Sequence, residues 1–177
     1  MREEDLLRGA ERILDARRSV GKLDGLPEPL RPRSLDDGYN MQLVAAERWG
    51  EEVAGWKVGA TSQEVQKLFG IGEPVYGPVF EKTVFDSPAR LEARAFQHLM
   101  LESEFAFTFR AGLPARAAPY EREEVLSAVE AVRPAIEVIS PRFKRLTVDH
   151  VPQLVADFCG NGAAVLGTPY RDWRSLD

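Results

Sequence analysis

The stretch Leu101-Glu102-Ser103-Glu104-Phe105-Ala106-Phe107-Thr108-Phe109 decides how this chain is read. Its residues alternate with period two, the mark of a β-strand. Leu101, Phe105, Phe107 and Phe109 share one face, and Glu102 and Glu104 share the other. Carboxylates at i and i+2 have Cβ atoms about 6–7 Å apart, given a rise of about 3.3 Å per residue. They can converge on one hard cation. Buried together without one, they repel and one takes up a proton. By spacing alone, the commoner arrangement is a half-exposed strand with a solvated glutamate face.

Working outward, Pro134-Ala135-Ile136-Glu137-Val138-Ile139 is a short apolar strand with one charge in it. Glu137 either faces water while Ile136 and Val138 face inward, or it joins Glu102 and Glu104. Three carboxylates on two strands form the all-oxygen donor set that Mg²⁺ or Mn²⁺ prefers, with waters completing the shell. Lys57 lies in Val53-Ala54-Gly55-Trp56-Lys57-Val58-Gly59, also read as a strand. Its apolar neighbours make it either a partly desolvated ammonium able to transfer a proton or an edge lysine reaching back to water. His98 and His150 lack metal-ligand spacing, and Cys159 reads as a buried small residue. Neither Gly70-Ile71-Gly72 nor Gly160-Asn161-Gly162 completes a dinucleotide loop.

The front of the chain is helical. Leu6, Leu7, Ala10, Ile13 and Leu14 recur at helical spacing over residues 2–19, and residues 21–33 form a Gly- and Pro-rich connector. Ser34 with Asp37 predicts a capped helix from Leu35 to Trp49, closed by Gly50. Thr61 with Glu64 predicts the cap of a brief third helix ending at Gly70. Strands follow from Pro74 to about Phe109, around Val75, Val79, Phe80, Val84 and Phe85. The pattern then predicts a loop over residues 112–120 and a helix from about Glu121 to Val132 stopped by Pro134. Further on it predicts a strand from Ala135 to Ile139, a helix from Asp149 to Phe158 and a buried strand from Ala163 to Leu166. The fold class is α+β, with an N-terminal helical region over residues 1–50 and a β-rich region over residues 51–177.

Composition bounds the function. The chain has 177 residues, 44% hydrophobic and 29% charged, and a net charge of −5 from 23 basic and 28 acidic side chains. That is the balance of a soluble globular protein and argues against a general nucleic-acid binder. No run approaches the roughly 18 apolar residues of a membrane span, and the acidic N-terminus is unlike a signal peptide. One cysteine excludes an internal disulfide, so a cytoplasmic location is expected. The chain stops soon after its last strand, which leads to the expectation of an uncovered sheet edge near Ala163 to Leu166 and of a homo-oligomer joined there.

Four segments occur in register: Asp37-Gly38-Tyr39-Asn40-Met41-Gln42, Gly55-Trp56-Lys57-Val58-Gly59-Ala60-Thr61-Ser62, Leu101-Glu102-Ser103-Glu104-Phe105-Ala106-Phe107 and Pro134-Ala135-Ile136-Glu137-Val138. Together they resemble the 2-keto-4-pentenoate hydratase and 4-oxalocrotonate decarboxylase group of the fumarylacetoacetate hydrolase superfamily, from about Leu6 to Gly167. The resemblance implies N-terminal helices with a mixed β-roll, incomplete here at its C-terminus because members run on for about another third of their chain. It implies Glu102, Glu104 and Glu137 as ligands of Mg²⁺ (or Mn²⁺), Lys57 as the catalytic residue and Asn161 as a substrate contact. The implied reaction is hydration of 2-hydroxy-2,4-pentadienoate to 4-hydroxy-2-oxopentanoate in aromatic catabolism. Decarboxylation of 4-oxalocrotonate, or a truncated non-catalytic subunit associated with a related hydratase or decarboxylase, are the alternatives. The chain departs from the group at Ala156-Asp157-Phe158-Cys159-Gly160-Asn161 and in Glu73-Pro74-Val75-Tyr76-Gly77, a segment where several members carry an Asp and Val75 cannot do acid–base work.

Overall fold

The computed structural model describes residues 1–145 and 150–176. Five α-helices are described, α1 (Glu3–Arg18), α2 (Leu35–Trp49), α3 (Gln63–Phe69), α4 (Arg122–Ala128) and α5 (Val151–Ala156). The strands are β1 (Val53–Gly59), β2 (Val75–Phe80), β3 (Val84–Asp86), β4 (Met100–Phe109), β5 (Val129–Ile139) and β6 (Asn161–Leu166). β1 and β2 form an antiparallel pair, and the other four make a mixed sheet in the order β3-β6-β5-β4, with only β3 and β6 parallel. The architecture is α+β, as the sequence predicts. None of the described helices is long and apolar enough to cross a membrane.

The helical front folds as its periodicity requires. Ala10, Ile13 and Leu14 of α1 are fully buried against Met41 and Ala45 of α2, in a core that also takes in Leu26, Phe80, Phe143 and Phe158. Burying a large aliphatic or aromatic side chain is worth about 1.5–3 kcal/mol, so this cluster anchors the helices to the strands behind them. Ser34 accepts a hydrogen bond from the Asp37 amide, and α2 ends at Gly50 as expected. On α3 the cap is Ser62, one residue past the expected Thr61, and its Oγ accepts from the Val65 amide. Gly38 lets α2 meet α5, since a Cβ there would fall 2.6 Å from the Pro152 carbonyl oxygen.

The structure departs from the sequence reading behind Glu121. α4 lasts only to Ala128, and β5 begins at Val129 and runs through Pro134 to Ile139. Pro134 is tolerated because its carbonyl accepts from the Gly167 amide, beyond the β5–β6 register that starts at Ala135. Its nitrogen faces that same side, so the ladder to β4 loses no donor. The expected helix from Asp149 becomes α5 from Val151, and Asp149 itself lies outside the described residues. β6 is not the uncovered edge foreseen near Ala163 to Leu166. It is an interior strand between β3 and β5, and β4 is one of the two edges.

Candidate functional site

The site grows from the β4–β5 register. Glu102 sits directly opposite Glu137, and Glu104 lies two residues along the same face, opposite Ala135. Like charges directly across a ladder are destabilising, yet Glu137 is buried, with 4% of its surface exposed. One carboxylate oxygen from each of Glu102, Glu104 and Glu137 falls within 4.8 Å of the others. Burial, and next the charge of Glu137, push the Glu104 carboxyl up from its usual range; Lys57 pulls it down, and Glu102 pushes it up again. Glu102 stands at the exposed end of the trio.

Lys57 enters from the other sheet. Its position on β1 is opposite Gly77 on β2, and its Nζ reaches 3.1 Å from Glu137 Oε2, with only 11% of the side chain exposed. The inward reading of Lys57 therefore describes its place, and the edge-lysine reading does not. On the far side of Glu137, Asn161 Nδ2 donates to Oε1 over 2.8 Å. Glu137 is thus held by an ammonium on one oxygen and an amide on the other. The Lys57 contact is an ion pair without hydrogen-bond alignment, which leaves Oε2, buried, with bonding capacity to spare.

These residues fit a hard divalent cation. Three carboxylates face one ammonium, so negative charge is in excess, and one buried carboxylate oxygen has room for another partner. Glu102, Glu104 and Glu137 would hold such an ion through an all-oxygen donor set, the kind that calcium and magnesium take.

All five residues singled out in the sequence, Lys57, Glu102, Glu104, Glu137 and Asn161, come together here. Val75 is buried and packs with Val155 and Cys159. Sequence reasoning missed Arg17 on α1, which donates from Nε to Asp157 Oδ1, from Nη2 to the Asp157 carbonyl and from Nη1 to the Asn161 carbonyl. No periodicity or motif could flag it, because its partners lie some 140 residues further on. It also missed the support under the site. A Cβ at Gly77 would fall 2.5 Å from the Phe158 carbonyl oxygen, so only glycine lets β2 lie against the turn before Asn161.

No family model matches the chain. The 2-keto-4-pentenoate hydratase of Paraburkholderia xenovorans (strain LB400) is 29% identical over 171 residues, covering 95% of this chain and 62% of the relative. The 4-oxalocrotonate decarboxylase of Pseudomonas sp. (strain CF600) is 24% identical over 177 residues, covering 98% of this chain and 66% of the relative. Among solved structures, the 4-oxalocrotonate decarboxylase from Pseudomonas putida G7 superposes with a TM-score of 0.86 at 21% identity, covering 98% of this chain and 66% of that one. It has been solved with calcium and acetate and with magnesium and adipate. The chain spans about 62% of the length of the hydratase it matches. Over nearly all of its own length, in sequence and in fold, the chain is similar to the 2-keto-4-pentenoate hydratase and 4-oxalocrotonate decarboxylase group.

Proposed function

We propose that this chain carries the cation-binding and proton-transfer part of a lyase site acting on 2-oxo and 2-hydroxydienoic acids. The reaction is hydration of 2-hydroxy-2,4-pentadienoate to 4-hydroxy-2-oxopentanoate. The observation that carries the reading is the meeting of Glu102, Glu104 and Glu137 within 4.8 Å, with Lys57 against Glu137. Glu102, Glu104 and Glu137 would hold a divalent cation, Mg²⁺ in the first place and Mn²⁺ in the second. When bound, that ion supplies Lewis-acid polarisation of the substrate's carboxylate and 2-oxo oxygens.

The remaining work belongs to the chain's own side chains. Lys57 Nζ, shielded from water and paired with Glu137, gives or takes the proton that moves as the dienol becomes the enone. Water then adds across the activated double bond to give the 4-hydroxy-2-oxo acid. Asn161 fixes the plane of the Glu137 carboxylate through Oε1, and its amide oxygen would accept from the substrate's hydroxyl.

Decarboxylation of 4-oxalocrotonate is the second reading, favoured by the fold match to a decarboxylase and served by the same donor set. A non-catalytic subunit, associated with a related hydratase or decarboxylase, is the third. We place the protein in the cytoplasm and as a homo-oligomer, with β4 rather than β6 as the contact strand.

The deciding experiment is a thermal melt of the 177-residue chain. A cation that binds only the folded state stabilises by about 2.7 kcal/mol at a hundred times its Kd. At about 2–4 °C per kcal/mol for a chain of this size, Mg²⁺ or Mn²⁺ should raise Tm by about 5–10 °C. Glu104→Gln should abolish the rise, and no rise in the unaltered chain would refute the site. Loss of dienol absorbance with Mg²⁺ present then separates enzyme from subunit. We expect weak turnover, because one face of β4 stands open. Any turnover should vanish in Lys57→Ala.

A further inference from the structure

Between Asp157 and Asn161 the backbone runs through three successive left-handed residues, Phe158 (φ 55°), Cys159 (φ 51°) and Gly160 (φ 72°). Only the last is glycine. Consecutive non-glycine residues in this region are rare, because each sets Cβ against the following carbonyl, so the turn persists only where its surroundings over-determine it. The two residues that bracket it are both buried, Asp157 completely and Asn161 with 3% exposed.

One side chain holds both ends. Arg17, near the C-terminal end of α1, spreads its guanidinium over the turn: Nε donates to Asp157 Oδ1 at 2.6 Å, Nη2 to the Asp157 carbonyl at 2.6 Å and Nη1 to the Asn161 carbonyl at 3.0 Å. Its charged carbon lies 4.5 Å over the Phe158 ring. The far oxygen of Asp157 accepts from the Arg142 amide at 2.6 Å, so the acceptor side of the clamp is itself fixed. Asn161, the residue released by the turn, is the one whose amide meets Glu137. A planar fork with donors on three separate nitrogens does this; a lysine's three donors all radiate from one nitrogen and cannot reproduce that spread.

We propose that Arg17 is a positioning residue for the acidic site: by clamping the left-handed turn at both ends it aims the Asn161 amide at Glu137 and so sets the orientation of that carboxylate. The consequence for cation binding rests on the reading of Glu102, Glu104 and Glu137 as ligands; the consequence for the Asn161–Glu137 bond does not.

The test uses Arg17→Lys in the full chain, with two readouts. In ¹⁵N-resolved NMR spectra, the Asn161 side-chain amide of the unaltered chain should be protected from solvent exchange, and in Arg17→Lys that protection should fall at least tenfold while backbone dispersion is kept. Unchanged protection overturns the proposal. The second readout is affinity for Mn²⁺ alone, by calorimetry. Groups that orient a metal ligand typically matter by about 10- to 100-fold, so Arg17→Lys should weaken binding by about 10-fold, and should add nothing in an Asn161→Ala background. Additive losses in the double variant would mean that Arg17 acts by another route. If the unaltered chain binds no Mn²⁺, the ligand reading fails while the amide measurement still decides the clamp. Should Arg17→Lys not fold, exchange of the Arg17 Nε proton in the unaltered chain decides instead: slow exchange supports the clamp, and exchange at the rate of a free guanidinium overturns it.

Discussion

The two faces of the β4–β5 ribbon are built the wrong way round for an isolated sheet. One face carries Glu102, Glu104 and Glu137, and it runs from exposed at Glu102 through half-buried at Glu104 to sheltered at Glu137, which lies against Lys57 and Asn161. The other carries Leu101, Phe105, Phe107 and Ile136, and it is open, with Leu101 65%, Phe105 75% and Phe107 52% exposed. Ordinary strands put apolar side chains in and carboxylates out. A chain that inverts this has two obligations: the sheltered carboxylates need a cation, and the open apolar face needs a covering surface. Each obligation predicts what happens when its side of the ribbon is altered.

The largest effect should come from the apolar face. β4 is an edge strand of ten residues, with Glu102 and Glu104 toward one end and Arg110 just past the other. Two copies laid antiparallel along this edge continue the hydrogen-bond ladder, bring opposite charges toward each other and set the phenylalanines of the two copies side by side. Self-association at micromolar concentration, worth about 8 kcal/mol, is the expected outcome in light scattering. Phe105→Lys with Phe107→Lys should give a monomer with an intact metal response. A stable monomer of the unaltered chain at that concentration would break the proposed contact.

The glutamate face should give a smaller effect with a change of sign. With a chelator present, Glu102→Gln should leave Tm unchanged or raise stability by about 0.2–1 kcal/mol, because it removes a carboxylate placed directly across from Glu137. With saturating Mg²⁺ the same variant should be less stable than the unaltered chain. Melts in the two conditions test this directly. Equal destabilisation in both would mean that Glu102 contributes packing rather than charge.

The site and the inversion were not equally legible. Lys57, Glu102, Glu104 and Glu137 announce themselves as charges set in apolar, strand-like runs, and local pattern suffices to flag them. Alternation also shows that β4 has two unlike faces. It cannot show which face is sheltered, since that depends on β1, which approaches from another sheet and brings Lys57 to Glu137. The helix ends at Gly50 and Gly70 could be read because caps are local. The change from α4 to β5 at Val129 could not, because β5 is stabilised by pairing with both β4 and β6, the latter some 30 residues on, and that pairing overrides the helical pattern before Pro134. Arg17 was out of reach for the same reason.

The smallest effect concerns the turn that joins the two sides of the site. Cys159 is a free, buried thiol whose Sγ donates to the Tyr76 carbonyl over 3.0 Å. Burial pushes its pKa to about 12, despite the nearby Lys57 ammonium that works the other way. Only the thiolate is nucleophilic, and with a pKa of about 12 roughly one thiol in ten thousand is ionised at pH 8. Iodoacetamide at pH 8 should therefore leave the native chain unmodified over hours, as read by intact mass, and modify it within minutes in denaturant. Because Cys159 lies inside the left-handed turn that delivers Asn161 to Glu137, its labelling reports opening of that turn. Mg²⁺ should slow what labelling there is, and Arg17→Lys should speed it without denaturant. Rapid labelling of the native chain would show a loose turn, and the sheltered side of the ribbon would then lack the rigidity that a cation site built on Glu137 demands.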